Sequence, residues 1–426
     1  MKIEILCKKL GVPIEKGKSK LSYYKKIRSV FLKTLTINEL NKFQSPSITP
    51  STHRQRSRPQ NEKEYSVYQR ADFTPLNTES CLNRMYKRIG DKSPQTLLFN
   101  SGMAAISTVM FYLMNTKKMG RLSIGENAYF ETKWLAENYE NLKYFNEYNP
   151  KIKIDSEVIW VEYPINCTQP VKYPFDKGLN LKRIFSSIVK SCIENRNKKI
   201  ALVVDYTLYY LPFNIFDYFT ELPENLEVYL ITSLQKHRGY GLDLTNGGAV
   251  TFYPIRDYHD YEKLSRLRAI IGVSIPQETI WGMPKIKPRI INQLIKDSGA
   301  NTLRIYKEIS KNKFDQIRYY FSNNKDFLTS FIFIEIGKTL MKKSIQLPYL
   351  SDLLISEIIN AAKINHIVLV HGTSFGLPFC RIFKNSERYE NTNSLRLAVR
   401  YDEDLCNGVG KAIVAGINSF LKKYEK

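Results

Sequence analysis

The stretch Leu226-Glu-Val-Tyr-Leu-Ile-Thr-Ser-Leu-Gln-Lys236 decides how this chain is read. Its first eight residues are mostly apolar, β-branched or aromatic, the composition of a buried strand. They end at Ser233, and Lys236 follows three residues on. The glycine-rich residues 238–248 come next, so the strand empties into a turn. A lysine so placed stands at the mouth of an apolar strand.

Working outward, similar apolar runs occupy residues 96–99, 157–162, 200–204 and 249–253, separated by the helix-length segments 103–115, 132–138 and 181–194. This alternation predicts parallel strands joined by crossover helices, a three-layer α/β/α domain with a mainly parallel sheet. Beyond residue 288 the pattern changes to a long helical region, strand-like runs at 331–336, 366–370 and 395–399, and a closing helix. A smaller C-terminal α+β domain is expected there. The organisation read from the chain is a basic helical segment (1–43), a flexible linker rich in Ser, Thr, Pro and Arg (44–60), a large domain with an N-terminal arm (61–288) and a small domain (289–426).

At 426 residues, 43% hydrophobic, the chain has ample material for a large core. No apolar run approaches the ~20 residues that cross a bilayer, so no membrane partner is expected. The start of the chain has no apolar secretory core, and the six cysteines include no Cys-x-x-Cys pair, which together predict a cytoplasmic protein with reduced thiols. The five histidines include no closely spaced ligand pair, and no metal is expected. Of the net charge of +23, residues 1–63 carry +11, from 15 basic and 4 acidic residues. That local excess makes nucleic-acid binding through residues 1–43 an option. Ile3, Leu6, Cys7 and Leu10, then Leu21, Tyr24, Ile27 and Phe31, make two short apolar helical stripes, weakly similar to SAP-like helix-turn-helix modules. A solvated extension that helps solubility or partner docking is the blander reading of the same segment. Gly11 to Ser19 is one residue too long for a phosphate loop and lacks the preceding strand.

Three groups in the large domain carry chemistry. Ser101-Gly102-Met103 lies between a strand and an apolar helix, where free backbone N–H groups and the helix dipole attract a phosphate. Asp205 closes the apolar run 200–204, at the strand end where open α/β sheets bind ligands. Lys236 ends the next such run, 31 positions later. A carboxylate for a pyridine nitrogen, a phosphate-binding helix start and a buried amine for an aldehyde are what pyridoxal phosphate requires. Lys236 would hold that cofactor and serve as the base at Cα, with its pKa lowered by burial. Ser233 would give its hydroxyl to the phosphate, and Tyr129 would cover the ring and take part in proton transfer.

With these residues in view, the chain resembles the Cys/Met-metabolism family of pyridoxal phosphate enzymes, the cystathionine γ-synthase and γ-lyase group of fold type I. Tyr68-Gln-Arg70 is similar to the family's Tyr-x-Arg, which reaches the phosphate of a neighbouring subunit, and Thr74-Pro-Leu-Asn-Thr78 to its Asn-Pro-Thr. Ser101-Gly102-Met103 looks like the phosphate-binding Ser-Gly-Met, and Tyr129-x-x-Thr132 like the Tyr-Gly-Gly-Thr whose tyrosine stacks on the ring. Glu162-Tyr-Pro-Ile-Asn166 resembles a segment whose asparagine faces the cofactor's phenolic oxygen. Asp205-Tyr-Thr207 and Ser233-Leu-Gln-Lys236 resemble Asp-Asn-Thr and Ser-x-Thr-Lys. Leu395-Arg-Leu-Ala-Val399 is similar to Ile-Arg-Leu-Ser-Val, which makes Arg396 the clamp for a substrate carboxylate. The departures are Gln235 for threonine, Cys167 for proline, the segment Arg238 to Asp243, and His371-Gly-Thr-Ser-Phe-Gly376.

The resemblance implies a lyase or transferase that forms an external aldimine with an amino acid, loses the Cα proton to Lys236, and eliminates or replaces a β- or γ-substituent. Sulfur-containing or homoserine-derived amino acids are the substrates it suggests. Transamination is the alternative, and a nucleic-acid-binding regulator with a pyridoxal fold a second one. A homodimer or tetramer with shared sites follows from the roles given to Tyr68 and Arg70.

Overall fold

The computed structural model describes residues 3–14, most of 22–29, 76–88, 93–149, 156–165, 180–219, 222–240, 246–253, 259–276, 279, 287–324, 327–337, 340, 347–372, 379–384 and 394–424. The expected linker 44–60, Tyr68, Arg70 and Asn166 lie outside them.

Helices α1 (Ile3–Leu10) and α2 (Leu76–Asn83) precede a seven-stranded sheet of β1 (Gln95–Phe99), β2 (Leu122–Gly125), β3 (Leu142–Phe145), β4 (Val158–Glu162), β5 (Ile200–Asp205), β6 (Leu226–Ser233) and β7 (Gly248–Tyr253). Its order is β1-β7-β6-β5-β4-β2-β3. The neighbours from β6 to β3 pair in parallel, and β7 runs antiparallel to both β1 and β6.

Strands β4 and β5 are buried at every position because helices cover both faces, and so they read as continuous apolar runs. Side chains still alternate between the faces. Ile159, Val161, Leu202, Val204, Val228 and Leu230 join one core with helix α5 (Leu181–Glu194). Val158, Trp160, Ala201, Val203, Tyr229 and Ile231 join the other, with α3 (Gly102–Phe111) and α6 (His259–Ile270). Helix α4 (Phe130–Ala136) follows β2. Helix α5 shows why the sequence pattern works locally. Leu181, Ile184, Phe185, Ile188 and Cys192 recur at helical spacing and are buried, while Asn180 caps the start by accepting the Arg183 N–H at 3.1 Å.

Helix α7 (Pro288–Ile309) joins the two parts of the chain. Ile290, Ile291, Leu294 and Ile295 belong to the core around α5, whereas Ile305 and Ile309 belong to a separate core. That second core lies under a five-stranded sheet of β8 (Ile317–Tyr320), β11 (Phe331–Ile336), β12 (Leu369–His371), β13 (Cys380–Lys384) and β14 (Ser394–Ala398), ordered β12-β13-β14-β11-β8. A short hairpin, β9 (Asn323–Asn324) and β10 (Phe327–Leu328), stands apart from it. Helices α8 (Leu347–Ile364) and α10 (Val409–Tyr424) cover the five-stranded sheet, with the short α9 (Glu403–Cys406) before α10.

One expectation needs correction. Leu6 and Cys7 of α1 and the nearby Val12 are buried in the core that holds α5, and the Lys287 Nζ donates to the Lys9 carbonyl at 3.1 Å. The apolar stripe at residues 3–12 was too strong to stay in water, so this part of the chain is packed rather than a solvated extension. Among the described residues, no helix is long and apolar enough to cross a membrane.

Candidate active site

Strands β1, β2, β4, β5 and β6 run in one direction, so their carboxyl ends share one edge of the sheet. Ser101, Glu162, Asp205, Ser233 and Lys236 all fall at that edge. In the register, Glu162 lies beside Asp205, and Gly248 pairs with both Phe99 and Ser233. The backbone here is packed too tightly for side chains. A Cβ at Gly248 would meet the Ser101 carbonyl oxygen at 2.3 Å, and one at Gly102 would meet the Ser233 Cβ at 3.0 Å. The turn from β1 into α3 is thereby pressed against the end of β6.

Ser101 caps α3, its Oγ accepting the Ala104 N–H at 3.0 Å. The N–H groups of Gly102 and Met103, in the first turn, have no acceptor within the helix. Thr207 ties the neighbouring strand ends together. It gives its hydroxyl to Asp205 Oδ1 at 2.6 Å and its N–H to the same oxygen at 3.0 Å, while its Oγ1 accepts the Ser233 N–H at 3.0 Å. Both bonds to Asp205 fall on Oδ1. Burial pushes the Asp205 carboxyl up, and the Thr207 bonds and the Arg238 charge oppose that push.

Around Lys236 the electrostatics are cationic. His237 and Arg238, the next two residues, are 2% and 1% exposed. Arg238 donates to the Tyr209 carbonyl at 2.8 Å and the Tyr206 carbonyl at 3.4 Å, and its guanidinium lies 5.2 Å from the Tyr206 ring centre. The Tyr206 hydroxyl in turn meets that of Tyr86. Burial, with the charges of Arg400, Arg238 and Lys236, holds His237 far below its usual range and therefore neutral.

Arg396 comes from the small sheet, on β14 between Phe333 and Phe383. It nonetheless feels Tyr129 and Glu162 of the large domain; burial lowers its guanidinium to about 10, and those two groups work against the lowering. Tyr129 precedes α4 and donates its N–H to the Glu162 carboxylate. Its phenol is pushed up by burial and then by Glu131, so it stays protonated at neutral pH.

The structure thus brings Ser101, Gly102, Met103, Asp205, Thr207, Ser233 and Lys236 to one edge, and places Tyr129 and Arg396 beside Glu162. Three further residues enter that the motifs did not single out for a role. Glu162 holds Tyr129, and Arg238 and Arg400 are buried cations beside His237. Arg238 had a signal in the sequence, standing two residues after Lys236. Arg400 had none, because it stands far along the chain from His237.

These residues fit pyridoxal phosphate. The buried carboxylate has an oxygen, Oδ2, that accepts no hydrogen bond from the described residues, and a pyridinium N–H is the donor that would suit it. The glycine-lined start of α3 and the surplus of buried cations suit a phosphate dianion.

The fold agrees with this. The chain is similar in structure to a cystathionine gamma-lyase from yeast, with a TM-score of 0.59, 14% identity and coverage of 95% of this chain and all of that one. It is similar also to a methionine gamma lyase from Micromonospora echinospora (TM-score 0.54, 14% identity, 83% and 89% covered) and to a cystathionine gamma synthase from Xanthomonas oryzae pv. oryzae (TM-score 0.52, 14% identity, 78% and 82% covered). The chain adopts the fold of those proteins, fold type I. No protein-family model and no curated protein sequence matches it.

Proposed function

We propose that this protein is a pyridoxal phosphate enzyme acting on an amino acid, a lyase or transferase that eliminates or replaces a β- or γ-substituent. The observation that carries this reading is the Ser233–Thr207–Asp205 hydrogen-bond relay beside the Gly102 turn, with Lys236 three residues beyond its end. Bound pyridoxal phosphate supplies a ring that accepts the electron pair left when a bond at Cα breaks.

The chain's own residues do the rest. Asp205 would accept the ring N–H through Oδ2, and Thr207 fixes Oδ1. Gly102 and Met103 offer backbone donors to the phosphate, Ser233 adds its hydroxyl, and Asn166 is assigned to the phenolic oxygen by resemblance. Lys236 Nζ would hold the cofactor's aldehyde, and as a base it would take the Cα proton and return it. Arg396 pairs through two N–H groups with the substrate carboxylate, which fixes the Cα–H bond against the lysine. Tyr129, being protonated, acts as a hydrogen-bond donor and proton carrier. Tyr68 and Arg70 are assigned to a neighbouring subunit's phosphate, so the working unit is at least a homodimer.

Product analysis separates the reactions. Ammonia and a keto acid formed from a sulfur-containing or homoserine-derived amino acid, with no acceptor added, would support elimination. A strict need for a keto-acid acceptor would replace this reading with transamination.

A further inference from the structure

Away from the sheet edge, Cys380 at the start of β13 and Cys406 at the end of α9 place their sulfurs 3.5 Å apart. The two cysteines are 0% and 2% exposed, yet Cys406 borders a surface cavity of about 600 Å³. The cavity is lined also by Arg304, Lys307 and Lys311, with Glu308 the one carboxylate among its lining residues. Two thiols within one sulfur–sulfur contact, at the wall of an open basic cavity, form a site rather than a packing accident. We propose that Cys380 and Cys406 are a dithiol modification site that hydrogen peroxide, entering by this cavity, converts to a disulfide.

Access and acidity divide between the two sulfurs. The hydrogen bond between the two sulfurs draws Cys380 below the usual thiol range, and the charges of Arg400 and Arg304 act in the same sense, while Cys406 is raised. Of the two, Cys380 is thus the more readily deprotonated. Cys406, facing the cavity, attacks one peroxide oxygen, and its proton goes to the departing oxygen. The S–O bond forms, the O–O bond breaks, and the departing oxygen leaves as water carrying that proton. The Cys380 thiol then attacks the Cys406 sulfur, expelling the sulfenic oxygen as water with the thiol's proton. Peroxide is reduced to two waters and the two thiols are oxidised to one disulfide. The bond would tie β13, which flanks the Arg396 strand, to the turn before α10.

The full-length protein is treated with low hydrogen peroxide, denatured, alkylated and digested for mass spectrometry. The expected result is a cross-linked peptide pair holding Cys380 and Cys406, both protected from alkylation and both recovered by dithiothreitol. Cys406→Ser should lose the cross-link while Cys380 returns to the alkylated pool. Arg304→Gln should slow the reaction roughly threefold, the effect of one screened surface charge. Equal alkylation of both cysteines with and without peroxide would overturn the proposal, as would a cross-link from Cys380 to another cysteine. An unchanged rate in Arg304→Gln would overturn the role given to the basic wall.

Discussion

Thr207 holds Asp205 by two hydrogen bonds to a single oxygen, at 2.6 and 3.0 Å, and at the same time accepts the backbone N–H of Ser233 from the next strand. One side chain therefore sets both the orientation of the buried carboxylate and the spacing of the strand that leads to Lys236.

Thr207→Val keeps the shape and removes both hydroxyl bonds. Leaving the Ser233 N–H unmet, and Asp205 Oδ1 with only the backbone N–H of residue 207, should destabilise the fold by about 1–3 kcal/mol, measured by urea unfolding. Affinity for pyridoxal phosphate should fall in parallel, measured by titration of the purified protein. A variant with native stability and native affinity would contradict the relay.

Gly248→Ala places a methyl group where the Ser101 carbonyl oxygen stands. Backbone cannot move aside as a flexible side chain can, so a loss of about 1–3 kcal/mol is expected from overpacking, with weakened phosphate binding. Sulfate or phosphate protection in a thermal melt reads the second effect.

Glu147 gives the pH dependence. It is 1% exposed, it accepts from the Asn127 N–H and side-chain amide at 3.1 Å each, and burial raises its carboxyl to about 7. The folded state thus keeps a proton that the unfolded chain releases near its ordinary value. Stability from this group is fully present below the unfolded pKa and is lost as pH rises toward about 7. By linkage the loss is on the order of 3 kcal/mol. Glu147→Gln should remove that part of the slope between pH 4.5 and 7 in chemical denaturation, and an unaltered slope would refute it.

Leu6→Ala separates a packed α1 from a solvated one. At 0% exposure within the α5 core, Leu6 should cost about 2–5 kcal/mol when truncated. A change near zero in urea unfolding would return residues 3–12 to the solvent.

Arg396→Lys keeps the charge and loses the planar fork. Amino-acid binding, followed by spectral shift of the cofactor-loaded protein, should weaken about 10- to 100-fold, the worth of a charged hydrogen bond.

Much of this was legible in the residues. The runs that became β4, β5, β6 and β7 were read to within about one residue because central strands of a covered sheet must be apolar on both faces. Helix α5 was read at its observed bounds, since its stripe and its Asn180 cap agree. Strands β2 and β3 were not seen. Leu122-Ser-Ile-Gly125 is too short and too small to stand out, and β3 is an edge strand with Lys143 and Tyr144 exposed. The predicted helix 103–115 ends at Phe111, where a π turn over Tyr112–Thr116 takes over. At the sheet edge, the strand-end positions of Asp205 and Ser233 were legible because each closes an apolar run. The buried cation Arg400 was not, because burial of a charge depends on partners distant in sequence. The strand 366–370 was read early; β12 runs Leu369–His371, and His366 instead takes a left-handed backbone with φ 55°.

The most direct test of the central claim is the visible absorbance of the protein loaded with pyridoxal phosphate, beside its Lys236→Ala variant, before and after borohydride. The account predicts a visible band in the native protein that borohydride abolishes, a label on the peptide containing Lys236, and no such band in the variant. A native protein that remains colourless with the cofactor present, or a variant that keeps a borohydride-sensitive band, would contradict it.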